Sequence, residues 1–360
     1  MGFWNKNIIN SGDEYLSLDI SGSSIKVFQL ERSKSSDKVR SFGIKEIPPG
    51  CVENGKIINQ EKVIATIKEL LNTAGPKKIN TRKVICSLPE SKVFLHEVVI
   101  PEMSEEEAVE AVKWEIEASI PLSVDQVYYD WQFLEKKGGK QNVLTTSIAR
   151  DFSDELCSIL EKCGLEVYCL EMESIAIARS LVPKTAKKEE IFLIVDIGAT
   201  KTSFIVSEGN VPYFTSSIPF SSSAISDEIS NRLGLEKSEA ERVKISEGVE
   251  NSEGKNSILN SINPLLESLA VEIEKTIDFY QSMPNNNLQS VKILLVGGGA
   301  NFKGLLSYLK SKLSWEVFIG NPWINLNLGK NLPAISQTDT VRFAVSIGLA
   351  MRKGDYGNKA

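Results

Sequence analysis

Two segments of this chain repeat one design about half the chain apart, and nothing else in the sequence restricts its fold as tightly. YLSLDISGSSIKVFQLE runs from Tyr15 to Glu31, and IFLIVDIGATKTSFIVSE from Ile191 to Glu208. In each, an apolar strand ends on an aspartate (Asp19, Asp196), passes through a short Gly/Ser/Thr/Ala turn with a lysine (Lys26, Lys201), and returns as a second apolar strand. Small residues let backbone N–H groups converge on anionic oxygens, hydroxyls add donors, and a carboxylate before the turn can hold a hydrated divalent cation. Two such turns facing each other would clamp a nucleotide. One copy alone reads equally well as an ordinary tight hairpin, because Asp, Gly and Ser are what turns use anyway. The duplication favours the phosphate reading.

A third element points the same way. In VKILLVGGGANFKGLLSYLKSKL, a buried-strand run from Val291 to Val296 feeds Gly297, Gly298 and Gly299, and a helix is expected from about Phe302. Bare backbone there can approach a flat ligand, and a helix N-terminus favours phosphate. The glycines lack Rossmann spacing and lie far from the N-terminus, so a dinucleotide site is the weaker reading.

Composition narrows the classes further. With 360 residues the chain holds more than one domain. A net charge of −6, with Lys and Glu interspersed, gives no basic face for nucleic acid. The five cysteines form no CxxC pair, and the absence of a secretory signal points to reduced thiols in a cytoplasmic protein. His96 is the sole histidine, so neither a Ser/His/Asp triad nor a His-based metal centre is supported; within VFLHEVVIP it reads as a strand residue. No stretch approaches the roughly 20 apolar residues of a membrane span. MGFWNKN is too short and polar for a signal peptide, though it could touch a membrane or partner, and the polar C-terminus MRKGDYGNKA offers no amphipathic anchor.

Between these landmarks strands and helices alternate, the pattern of layered α/β domains. Val63, Ile64, Ile67, Leu70 and Leu71 form a helical stripe closed by Gly75 and Pro76, and Val84–Leu88 reads as a buried strand. Ser104 and Glu107 form a capping box for a helix with Val109, Val112, Ile116 and Ile120 on one side, ending at Pro121. Strands Val127–Leu134 and Asn142–Ala149 flank a turn at Gly138 and Gly139, and a helix from about Phe152 to Cys163 ends at Gly164 before the strand LEVYCL. Later helices are expected over Ser221–Gly234, SEAERVKISEG and Ile262–Gln281, the last presenting Leu266, Leu269, Ile273, Ile277 and Tyr280. VENSEGKNS is the most loop-like stretch, and PNNNLQS ends the long helix.

The order of hairpin, Glu-Ser-x-Ala helix, second hairpin and GGG turn resembles the actin-like ATPase superfamily. Within it, the chain is similar to the PilM family of type IV pilus assembly proteins, relatives of the cell-division protein FtsA. The resemblance covers nearly the whole chain. Its most specific stretches are LPESKVFLHEVVIPEMSEEEAVEAVKWEIEASIPLSVDQVYYDWQFLE, EIEKTIDFYQS and VRFAVSIGLAMR. It implies an actin-like (ribonuclease H-like) two-domain α/β fold with an FtsA/PilM-type insertion. The expected divisions are a first domain (1–90 with 168–188), an inserted subdomain (91–167), a second domain (189–235 with 290–360) and its subdomain (236–289).

The resemblance also implies an ATP site with Mg2+. Asp19, Gly22, Ser23, Ser24 and Lys26 would form the first phosphate loop, and Asp196, Gly198, Thr200, Lys201 and Thr202 the second, with Asp19 and Asp196 holding Mg2+ through water. Gly297, Gly298, Gly299, Asn301 and Phe302 would border the adenosine. Glu241 and Lys244 match a pair that contacts ribose and adenine, or form a solvated i,i+3 ion pair. Glu173 stands where related filament ATPases position the attacking water, or is a first-turn helix carboxylate. Ser21 departs from the family's usual glycine, and could donate to a phosphate or crowd it.

By the same resemblance, residues from about Ser91 to Val167 and the first domain would form a groove for the cytoplasmic N-terminal peptide of PilN, a single-span inner-membrane protein. Phe94, Val98, Trp114 and Ile116 are candidate walls, or core. The implied role is a cytoplasmic ATP-binding scaffold at the inner face of the inner membrane, with at most slow hydrolysis, coupling PilN to other inner-membrane and motor components of the pilus machine. Alternatives are an FtsA-like filament former, a small-molecule kinase of the same fold, and a nucleotide-free scaffold like the cytoplasmic part of the secretion protein GspL.

Overall fold

The first hairpin folds as its pattern dictates. In the computed structural model, β1 (Leu16–Ile20) and β2 (Ser24–Arg32) pair antiparallel with Asp19 opposite Lys26. All five β1 residues are buried, as in a strand covered on both faces. The structure describes residues 14–32, 36–187, 189–249, 258–283, 290–328, 333 and 335–352. MGFWNKN, the loop-like 250–257, the Asn-rich 284–289 and the tail 353–360 lie outside the described residues. The chain divides into two compact units, Met1–Glu173 with Leu349–Ala360, and Ser174–Gly348.

In the first unit, β3 (Asp37–Glu46) extends the hairpin, and β4 (Val52–Glu53) and β5 (Lys56–Ile57) form a small ribbon turning at Asn54 and Gly55. Next comes α1 (Gln60–Thr73), whose buried Val63, Ile67 and Leu70 follow the expected stripe, with Asn59 capping it through Lys62 N–H. Gly75–Pro76 pairs as β6 with β3, and β7 (Lys83–Leu88) runs parallel to β1.

The chain then leaves this sheet for β8 (Val93–Pro101), α2 (Glu105–Ser119), β9 (Val127–Lys137) and β10 (Lys140–Ala149). These build a three-stranded antiparallel sheet, β8-β10-β9, with α2 on one face and a core of its own from Val98, Ile100, Ala108, Val112, Ile116, Val127 and Val143. Both halves of the Ser104/Glu107 capping box form. The stripe differs from expectation at one residue: Ala108 is buried while Val109 is 42% exposed. Ala108, Val112 and Ile116 recur every fourth residue and stack as one row, which leaves Val109 on the flank. The chain returns through α3 (Arg150–Lys162), two residues earlier than expected, and β11 (Glu166–Met172), parallel to β7. Leu156, Ile159 and Leu160 of α3 join the core of the six-stranded sheet β11-β7-β1-β2-β3-β6.

The chain enters the second unit one residue into α4 (Glu173–Leu181) and repeats the hairpin as β12 (Ile191–Ile197) and β13 (Thr202–Glu208), followed by the edge strand β14 (Val211–Ile218). Helices α5 (Ser222–Leu233), α6 (Lys237–Glu247) and α7 (Ile258–Ser282) follow, then β15 (Val291–Val296), α8 (Leu305–Lys312), β16 (Glu316–Ile319), α9 (Gln337–Thr340) and α10 (Ala344–Ala350). The sheet order is β14-β13-β12-β15-β16. Leu266, Leu269, Ile273, Ile277 and Tyr280 of α7 are all buried beneath it. That helix starts a turn earlier than expected, because Ile258, Ser261 and Ile262 extend the buried stripe and Pro264 is accommodated inside it.

All five cysteines are free thiols. His96 is an exposed residue of β8. Among the described residues no helix is long and apolar enough to cross a membrane.

Candidate functional site

The turn of the second hairpin is built by four residues, Gly198 to Lys201, and the helix that follows β14. Gly198 N–H donates to Lys201 O (2.9 Å), closing the turn, and a Cβ on Gly198 would lie 2.9 Å from that same carbonyl. The amides of Ser222 and Ser223, in the first turn of α5, donate to Gly198 O (3.0 Å) and Ala199 O (3.1 Å). Ser221 caps the helix by accepting from Ala224 N–H. The loop's carbonyls are thereby held by α5.

Lys201 itself carries a ring of consequences. Its Nζ is buried and has no hydrogen-bond partner among the described residues. A buried ammonium left alone is strongly disfavoured, and an anion is the group that relieves it. Thr200 and Lys201 therefore present a cation and a hydroxyl beside a turn of small residues, the chemistry of a phosphate cradle. Thr202 plays a different part: its hydroxyl donates to Phe220 O (2.8 Å) in the interior, fixing the strand that leads out of the loop.

Glu241 and Lys244 are more than a solvated pair. Lys244 is buried, and its Nζ donates to Glu241 Oε2 (2.7 Å), Ser222 Oγ (2.7 Å) and Ser222 O (3.0 Å). Ser226 Oγ donates to the same Glu241 oxygen, while the Glu241 side chain stays 46% exposed. The network links α6 to the first turn of α5 and so to the turn after β12, leaving an exposed carboxylate able to accept from a hydroxyl.

The three glycines divide by role. A Cβ on Gly297, whose φ is +81°, would lie 2.3 Å from Asp196 Oδ1, and one on Gly299 would lie 2.2 Å from Ile197 Cγ2. Both glycines serve the close packing of this turn against the end of β12. Gly298 is exposed and meets only Arg342 Nε at 4.0 Å, so it is the one that leaves backbone open to a ligand. The expected helix from Phe302 begins instead at Leu305. A 3₁₀ turn over Gly298–Asn301 and the left-handed Gly304 delay it, and Phe302 is buried in the core. Asn301 is exposed, its amide donating to Thr338 O (2.6 Å).

The first loop is more self-contained. Asp19 is buried at the end of β1, where Lys26 Nζ donates to Oδ2 (2.8 Å) and Ser87 Oγ to Oδ1 (3.0 Å). Ser21 Oγ donates to Ser24 O (2.9 Å) and approaches Ser24 Oγ (3.2 Å), so the residue that departs from glycine folds back into its own turn. Gly22 and Ser23 lie at its partly exposed tip, and Ser23 O accepts from Ile47 N–H (3.0 Å).

Glu173 opens α4 just beyond β11. Burial, and then the charges of Asp19, Cys157 and Glu173, push the Cys86 thiol well above its ordinary range. The charges of Asp19 and Glu173 thus both bear on one buried thiol of β7. Sequence reasoning missed Ser87, which holds Asp19, and the buried ion pair between Glu171 and Arg352 (3.0 Å). Ser222 and Ser226, expected only as part of the helix over Ser221–Gly234, complete the Lys244 network. Among the described residues no cluster of three or more His, Cys, Asp or Glu could bind a metal directly.

A concave apolar site also lies in the first unit, lined by residues that include Ile20, Ile57, Phe152 and Leu156, with Glu155 and Ser87 contributing polar groups. Of the four candidate groove residues, Val98 and Ile116 are core of the insertion, Phe94 is half-buried against that core, and Trp114 is 70% exposed.

A β-sheet opened by a duplicated strand–Asp–turn–strand hairpin in each of two units defines an actin-like fold. EutJ from Carboxydothermus hydrogenoformans has this fold (16% identity, 97% of this chain and 93% of that one, TM-score 0.56). So does MreB5 of Spiroplasma citri bound to ADP (13% identity, 94% and 95%, TM-score 0.54). More particularly, the chain belongs to the family of the type IV pilus assembly protein PilM, whose model matches residues 17–354. A PilM-PilN type IV pilus biogenesis complex is similar at 26% identity and a TM-score of 0.79, over 94% of this chain and 98% of that one. The cell division protein FtsA of Bacillus subtilis is 26% identical over 259 residues, 66% of this chain; the chain spans 58% of FtsA's length.

Proposed function

We propose that this chain is an ATP-binding, actin-like scaffold of the type IV pilus assembly machinery, acting at the cytoplasmic face of the inner membrane. Its partner is the cytoplasmic N-terminal peptide of a PilN-type protein, which it links to the motor complex. Membership of the PilM family and likeness to a PilM-PilN complex support the pilus role. The observation that carries the nucleotide is the buried Lys201 ammonium, without a partner among the described residues, beside a turn of small residues. Within the second unit, Lys201, Thr200 and Gly198 hold phosphate, Gly298 gives a nucleoside bare backbone to lie against, and Glu241, held by Lys244, accepts from a ribose hydroxyl. Asn301 borders the nucleoside, while Gly297, Gly299, Thr202 and Phe302 support the turn and strand from behind.

The first loop, with Asp19, Gly22, Ser23, Ser24 and Lys26, is its counterpart in the first unit. Asp196 in the second unit, and Asp19 in the first, are the carboxylates that would hold a hydrated Mg2+, which would supply charge neutralisation for the phosphates. Glu173 orients a water if the nucleotide is hydrolysed. The four-part division into 1–90 with 168–188, 91–167, 189–235 with 290–360, and 236–289 belongs to the same proposal.

For the peptide, the apolar concavity around Ile20, Ile57, Phe152 and Leu156 accepts an apolar side chain, with Glu155 available to a neighbouring cation. Titration of the chain with a PilN N-terminal peptide, with and without ATP and Mg2+, tests the linkage: the account expects two different affinities. Equal affinities would remove nucleotide control of the partner. One observation favours a second reading, a nucleotide-free scaffold. Ser21 and Ser24 satisfy each other, which weakens the first loop's grip on phosphate.

A further inference from the structure

The outer side of α2 carries Trp114, which the sequence offered as a candidate groove wall and which lies outside the apolar concavity around Ile20, Ile57, Phe152 and Leu156. The helix's inner row, Ala108, Val112 and Ile116, is packed into the core of the insertion. On the opposite side stands Trp114, 70% exposed, with no ring or cation–π contact among the described residues. At helical spacing its neighbours are Glu110 and Glu117 on one flank and Ala111 and Ala118 on the other. The side chains of Glu106, Glu110, Glu115 and Glu117 have no ion pair among the described residues, and the helix offers six glutamates against one lysine, Lys113. The hydrogen bonds from Ser104 lower the Glu107 pKa, so this end of the helix stays negative.

A large indole held in water among unpaired carboxylates gains nothing from the fold. The exposed Ala118, with Ala111 half-buried against the insertion's core, leaves a low shelf beside it on which a second chain can lie. An aromatic face attracts cations, and tryptophan is a residue on which interface energy concentrates. The surrounding negative charge repels acidic partners and anionic lipid, and steers positive ones.

We infer that the outer face of α2 docks a basic segment of a partner protein, an arginine- or lysine-rich stretch with an apolar side chain that lies over Trp114 and the Ala111/Ala118 shelf while its cations meet Glu110 and Glu117. This surface is separate from the apolar concavity assigned to the peptide.

The test uses the full chain and three fluorescent octapeptides: alternating Arg/Leu, alternating Arg/Ser and alternating Glu/Leu. Anisotropy at moderate salt is expected to rank Arg/Leu first, Arg/Ser at least threefold weaker, and Glu/Leu without binding. Trp114→Ala is expected to weaken Arg/Leu binding at least tenfold, and the double change Glu110→Lys with Glu117→Lys to abolish it. Glu272→Lys with Glu274→Lys on α7 serves as a control expected to change it less than twofold. Trp114 is exposed, so the variant should fold; unchanged circular dichroism and melting confirm that. Absence of Arg/Leu binding, binding indifferent to Trp114→Ala, or equal loss with the α7 control overturns the inference. Sedimentation that shows wild-type self-association abolished by Trp114→Ala overturns it in favour of a second copy as occupant.

Discussion

Lys201→Met makes the sharpest prediction, because it should move stability and binding in opposite directions. Methionine keeps the length and apolar stem while removing the ammonium whose Nζ is buried without a partner among the described residues. An isolated buried ion costs several kcal/mol after relaxation. The rest of Lys201 is only half-buried, so water moderates this, and about 1–2 kcal/mol is recoverable by the substitution. For a domain of this size each kcal/mol moves the melting temperature by about 2–4 °C, so the free variant should melt about 2–8 °C higher. Against phosphate the sign reverses. Two unit charges 4 Å apart at an effective dielectric of 20 attract by about 4 kcal/mol, and even a third of that as net gain is about tenfold in affinity. Thermal unfolding of both proteins, with and without saturating ATP and Mg2+, reads both effects. A variant that melts lower than wild type without nucleotide, and gains the same stabilisation from it, refutes the assignment of Lys201 as an anion-seeking residue.

Other substitutions separate architecture from function. Gly297→Ala, with its positive φ and a Cβ 2.3 Å from Asp196 Oδ1, should cost about 3 kcal/mol or more by chemical denaturation, whereas Gly298→Ala should cost under about 1 kcal/mol yet weaken ATP binding. Ile273→Ala empties a fully buried position on α7 and should cost about 2–5 kcal/mol by the same measurement. Ser104→Ala should lower the melting temperature at pH 7 by an amount that shrinks toward pH 3. The Ser104 backbone N–H, and then its hydroxyl, lower the Glu107 pKa; alanine keeps the first bond and removes the second, so the hydroxyl's share, present above the unfolded pKa and lost as pH falls through the folded one, is what disappears.

How much of this was legible depended on whether neighbours in sequence were neighbours in space. The hairpins were readable because Asp19 and Lys26, or Ile197 and Thr202, face each other across a turn of a few residues. The capping box and the α7 stripe lie within one helix and were equally plain. Ser87 is distant in sequence from Asp19, and only the parallel pairing of β1 with β7 brings them together. The Glu171–Arg352 pair joins β11 to the far end of the chain, which no local pattern announces. In the GGG turn the glycines were visible but their employment was not: two of the three are required by packing against Asp196 and Ile197, and Gly304 postpones the helix. The buried state of Lys244 likewise depends on α5 packing against α6, which turned a surface-like spacing into an interior network.

Calorimetric titration with ATP and Mg2+, on the wild type and on Asp196→Ala, tests the central claim most directly. The account predicts saturable binding of one nucleotide per chain that is lost in the variant. No heat in the wild type, or identical binding in both proteins, would contradict it and leave the duplicated hairpins as architecture for a scaffold that works without nucleotide.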